Sequence, residues 1–209
     1  MLAVALTVGY LITFMAVAQL ARTRVGSANM GGSPQWRNAL GLLPQLIVLP
    51  TLLLASLHPP WTLTAQQVFI NVFAGLLVFD FAVLKLNLLM VLHHGTCLLG
   101  HAYAIKLAPE AFPCYFAAVA ALEAGSGCSC AWWLWGDQQP QFCTAAYKAG
   151  MTLSNMLATA GLLAWSKNAS SLPLAGRVGP ILITAALIYF RQAEMDALLK
   201  YGRGACKTG

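Results

Sequence analysis

The chain has 209 residues, 59% of them hydrophobic and 9% charged, and twelve Lys and Arg against six Asp and Glu give it a net charge of +6. A soluble domain carries about 25% charged residues, so these proportions exclude one and indicate a bilayer protein. The basic residues are scattered along the edges of apolar runs with no patch interleaved with aromatics, which excludes nucleic acid as a partner and favours anionic lipid headgroups.

Residues 2–21, 38–57, 61–79 and 86–105 each run 19 or 20 positions without a formal charge, close to the ~20 apolar residues that span a hydrocarbon core. Residues 2–21 lack the basic leader and short apolar core of a signal peptide and are followed by Arg22 and Arg24, so a retained first helix is expected. The polar stretch 22–38 reads as a flexible loop, and its Gly-Gly at 31–32 lacks the strand and helix context of a phosphate loop. Pro44 and Pro50 fall inside the second span and predict a kink or local irregularity. "SLHPPWT", 56–62, reads as a turn that sets Trp61 at the interface and leaves His58 solvated.

Three further spans are interrupted by polar groups: about 111–131 with Glu123, about 140–166 with Lys148, and about 173–192 with Arg177 near its start. The expected fold is therefore an all-α, polytopic transmembrane bundle of about seven helices forming a single domain over 1–209. The continuous apolar runs do not alternate as barrel strands would. Arg22, Arg24, Arg37, Lys85, Arg191, Lys200, Arg203 and Lys207 fall on one side of this topology, and only Lys106, Lys167 and Arg177 on the other. The side with eight is expected to be cytoplasmic or its organellar equivalent, with the N-terminus opposite. The first 79 residues hold no acid, and the endoplasmic reticulum and an organellar inner membrane both stay open.

The six cysteines lie mostly in or beside predicted helices and imply no disulfide framework. "CSC" at 128–130 has no second cysteine pair and no nearby histidine, so it reads as packing. "NAS" at 168–170 matches a glycosylation sequon but lies beside the apolar end of a span.

Alternating topology brings Asp80, His93, His94, Glu123 and Lys148 to the basic-side half of the bundle. An ionisable group inside a span costs about 2.5–3.5 kcal/mol on insertion scales and normally faces a partner or a wet cavity. A structural account pairs Glu123 with Lys148 and bonds the histidines to carbonyls. A functional account makes His93 or His94 a base or nucleophile, with Glu123 or Asp80 orienting it. Lys148 then anchors an acyl or phosphate headgroup, and Ser126 and His101 contribute to binding. His94, Cys97 and His101 share one helical stripe, which favours His94 over His93. His94 and His101 are about 10.5 Å apart along the axis, too far to chelate one ion, so no metal and no cofactor are expected.

The segments "VFDFAVLKL", "LMVLHHGTCLL", "AALEAGSGCSCAWWL" and "SNMLATAGLLAW" together resemble the TLC-domain family of multipass membrane proteins, which includes ceramide synthases and translocon-associated membrane proteins. The resemblance spans roughly 36–192. It rests on Asp80 at a helix end, the pair His93 and His94, and Glu123 followed by Ser126. Ceramide synthases continue to a second His-Asp pair, whereas no histidine follows position 101 here. The resemblance thus implies a lipid-handling bundle, with histidine-dependent acyl transfer if it is an enzyme. The alternative is a non-catalytic accessory subunit of a larger membrane complex, for which short loops and small-residue runs such as "ATAGLLA" are suited.

Overall fold

A computed structural model describes residues 2–30, 33–58, 61–86 and 88–201. Positions 31–32, Pro59, Pro60, Cys206 and the last two basic residues of the tail lie outside them. The described residues form seven helical rods, and the protein is an all-α bundle.

The first rod is α1, Leu2–Val25. The second is broken: α2 (Gln35–Leu43) passes through a π-helical turn at Pro44–Val48 into α3 (Leu49–Ser56). The other five are α4 (Thr62–Val83), α5 (Leu88–Leu107), α6 (Phe112–Trp135), α7 (Pro140–Asn168) and α8 (Leu174–Tyr201). Among the described residues four helices are long and apolar enough to cross a membrane: Gln35–Ser56, Thr62–Val83, Pro109–Trp135 and Leu174–Tyr201. α7 falls short in hydropathy because Thr144, Lys148, Thr152, Ser154, Asn155 and Thr159 dilute it.

The irregularity expected from Pro44 and Pro50 is this π turn. Pro44 has no N–H to continue the α-helical ladder, and a wider turn absorbs the offset. Pro50 follows the π turn within the same continuous rod and likewise has no N–H to give the turn before it.

Several boundaries differ from the charge-based reading. The stretch expected as a long loop is mostly ordered: α1 continues to Val25, a two-residue antiparallel pairing joins Asn29–Met30 to Ser33–Pro34, and α2 begins at Gln35. Gly26 has φ of 103°, a left-handed turn open to glycine, and its carbonyl accepts from the Trp36 amide at 3.1 Å. α4 likewise runs past Asp80 to Val83, and α8 past Arg191 to Tyr201. A charge ends an apolar run in sequence, but it need not end a helix when a partner meets it inside the bundle.

α6 and α7 form the most extensive helix pair, while α1 packs on α2 and α4. The main core gathers Leu49, Phe69, Phe73, Leu77, Phe112 and Phe116, with the Phe69 and Phe116 rings stacked at 3.9 Å. A second cluster joins α1, α2 and α4 through Ala18, Trp36, Leu40 and Phe79, capped by the Arg22 guanidinium 4.5 Å over the Trp36 ring. Trp61 is exposed, and His58 lies exposed in the turn after α3.

Candidate functional site

The site begins with Asp80, the first acid of the chain, one turn before the end of α4. Its carboxylate is 4% exposed and receives both arms of a guanidinium: Arg37 Nε donates to Oδ1 at 2.5 Å and Nη2 to Oδ2 at 2.6 Å. This two-armed geometry is the strongest match between these groups. Arg37 sits in the first turn of α2 and is itself buried, so it is no loop residue.

His94, in the second turn of α5, completes the group. Its Nε2 lies 3.0 Å from Asp80 Oδ2 and its Nδ1 2.9 Å from the Met90 carbonyl oxygen. Both partners are acceptors, so only a doubly protonated ring satisfies both, and a neutral ring satisfies one. In either state neither nitrogen is left to face a third molecule. His93 stands beside it, with ring centroids 5.4 Å apart, and is only partly buried. The contacts of its ring nitrogens are to Cys97 Sγ at 3.9 Å, four residues on along the same helix.

The stripe of His94, Cys97 and His101 divides among different partners. His101 is buried two turns further along α5, where Nε2 donates to the Ile70 carbonyl at 3.1 Å and Nδ1 faces the Tyr115 hydroxyl at 3.3 Å. Phe69 and Phe73 meet its ring edge-on. It locks α5 to α4 and α6.

Glu123 does not pair with Lys148. The buried face of α7 runs through Cys143, Tyr147, Met151, Ala158 and Leu162, and Lys148 is rotated off it into exposure. An exposed ammonium on a long lysine stem needs no internal acid. Glu123 Oε2 instead accepts from Gln45 Nε2 at 2.9 Å. Gln45 is delivered by the π turn, and such turns recur where a helix must re-aim a side chain. Arg191 and Arg37 are the cations whose charge acts on Glu123.

Ser126 is drawn into a cation site instead: Arg191 Nη1 donates to its hydroxyl oxygen at 3.0 Å and Nη2 to the Leu122 carbonyl at 2.8 Å. Cys130 lies 3.5 Å from Gln45 Oε1 and 3.7 Å from Asn38 Oδ1. A polar seam therefore runs from His93 and His94 through Asp80, Arg37, Gln45 and Glu123 towards Ser126 and Arg191. Among the described residues no three His, Cys, Asp or Glu side chains are grouped to hold a metal ion. The sequon residue Asn168 donates its amide to the Ala164 carbonyl at 2.7 Å.

The residues missed in sequence are Arg37, Gln45 and Arg191. For Arg37 a signal was present: no acid precedes position 80, so Asp80 is the first counterion it can meet.

The comparisons add no relative: no protein-family model, no curated protein and no solved structure matches the chain.

Proposed function

We propose that the chain is a multipass membrane protein of TLC type that handles a membrane lipid on its basic side, with His93 as the group that meets the lipid. The observation that carries this reading is the His-His pair in which one ring is tied and the other is not. Asp80 and the Met90 carbonyl occupy both nitrogens of His94, and His93 beside it retains only weak sulfur contacts. In an acyl transfer from an ester or thioester donor, His93 would accept the proton of the attacking hydroxyl or amine and return it to the departing alcohol or thiol as the donor's acyl bond breaks, or first take the acyl group on its ring nitrogen as that bond breaks. His94, fixed by Asp80 and Arg37, sets the position of the helix turn that presents it. Glu123 and Arg191 supply charge near the same half of the bundle, and anionic headgroups suit the basic edge.

His93→Ala and His94→Ala separate these roles. His93→Ala should keep the thermal unfolding of the parent in detergent while co-purified lipid, read by mass spectrometry, falls severalfold. His94→Ala should lower stability by about 1–3 kcal/mol, because it leaves part of a buried carboxylate unpartnered. Unchanged lipid in both variants, with elution inside a large assembly, would instead support the accessory-subunit reading. That second reading is favoured by α8, whose most apolar 18 residues are not buried in the bundle, Met195 and Leu198 near its end being the buried contacts.

The multipass reading carries its own test. Ser27 and Lys200 are exposed and lie on the side with eight basic residues. Single cysteines at the two positions, in a background stripped of native cysteines, should label from the same face of sealed vesicles. Labelling from opposite faces removes the topology.

A further inference from the structure

The most open depression described on the bundle lies away from the histidines. It is a groove of about 450 Å³ between α7 and α8, continued by a smaller one along the same helices. None of Asp80, His93, His94 or Glu123 lines either part. From Thr152 to Leu163 on α7 the combined groove covers twelve residues, about 16 Å of helix.

One end is polar. Asn155 is 6% exposed, its Nδ2 donates to Gln192 Oε1 at 3.3 Å, and its Oδ1 has no hydrogen-bond partner. Turning both amides over would leave an N–H unpartnered instead, so one amide group stays unsatisfied in either arrangement. The other end is apolar, formed by Leu162, Leu163 and Ile181.

The depth of the polar end follows from the charges. α8 carries none from Val178 to Phe190, then Arg191, Glu194 and Asp196 close together; α7 carries none from Ala149 to Ser166. The Asn155–Gln192 pair thus sits within about one turn of Glu194 and Asp196, the first exposed charges after the uncharged stretch of α8, which sets it near the level of a lipid's head–chain junction. From there the groove extends about 12 Å along α7, to Leu163, and about 16 Å along α8, to Ile181, close to the depth of one leaflet in a hydrocarbon core of about 30 Å.

We infer that this groove binds one chain of a lipid from the basic-side leaflet, and that a free hydroxyl at that lipid's head–chain junction hydrogen-bonds Asn155. A hydroxyl both donates and accepts, so it satisfies whichever amide group a turn of the Asn155 side chain presents to the groove, the orphan Oδ1 being screened as placed, while an ester junction only accepts. A buried amide without a partner is costly in hydrocarbon, which a seated hydroxyl relieves. The inference rests on the membrane and lipid reading above but not on the chemistry of His93.

The test places the full chain in phosphatidylcholine nanodiscs with a small fraction of a monoacylglycerol carrying a photoactivatable group in its chain. Labelling should map to Leu162, Leu163 or Ile181. Asn155→Leu should reduce it about five- to tenfold, the worth of one hydrogen bond. The same lipid with both hydroxyls capped as methyl ethers should label the parent at that reduced level. Ala185→Phe, which fills the groove from α8 without touching the amide pair, should abolish labelling while the helical signal persists. Equal labelling by the capped lipid, labelling elsewhere on the bundle, or cross-links to a second copy of the chain in place of lipid would each overturn the inference. A groove that labels correctly when neither histidine variant alters co-purified lipid would retire the histidine reading alone.

Discussion

Asp80→Ala should lower the stability of the folded bundle by about 3–5 kcal/mol, the loss expected when one partner of a buried ion pair is removed. The Arg37 guanidinium would be left in the interior with both arms empty, since Asp80 takes them at 2.5 and 2.6 Å. Glu123 cannot replace it without giving up Gln45. His94 would lose its Nε2 partner in the same step. Thermal unfolding in detergent, followed by helical circular dichroism, measures the effect. The double variant Arg37→Met, Asp80→Leu should recover most of the loss, because apolar groups of similar size often replace a buried pair at little cost. A single variant as stable as the parent would mean that water already reaches the pair.

Gly161→Leu should be the next most damaging change, at about 3 kcal/mol or more for overpacking a tight contact. A Cβ at Gly161 would lie 3.1 Å from the Ala118 Cβ and backbone nitrogen and 3.2 Å from its Cα. Backbone atoms do not swing aside, so α7 must withdraw from α6, its most extensive neighbour. Gly161→Ala should cost less, having only the Cβ to place. Gly179→Ala on α8 is the control: nothing lies within 4 Å of its Cβ position, and replacing a helical glycine should stabilise by up to about 1 kcal/mol. Equal unfolding midpoints for the Gly161 and Gly179 variants would show that α6 and α7 are not held by this contact.

The helices were legible because apolar run length is a strong signal and each run here is bounded by charge or proline. Their ends were less so, for a physical reason that also hid part of the site. Arg37, Asp80 and Arg191 look in sequence like markers of where the membrane stops, yet each is a buried residue or a hydrogen-bonded one inside a continuing helix. Spacing brought Asp80 and His94 to the same half of the bundle. It did not reveal that both nitrogens of His94 are taken, since Met90 acts through a backbone carbonyl that any residue would supply. Lys148 shows the opposite failure: depth was readable, rotation about the α7 axis was not. Gln45 was unreadable because an uncharged amide gives no signal until a π turn aims it at Glu123. The small-residue run around Gly161 was read as a close-packing surface, and its approach to Ala118 is that surface in place.

Arg37 and Asp80 are 43 residues apart, and nothing before Asp80 carries a negative charge. Within residues 1–79 Arg37 meets no acid, so the carboxylate that holds it comes from the last turn of α4. The joining of α2 to the end of α4 therefore depends on a single residue.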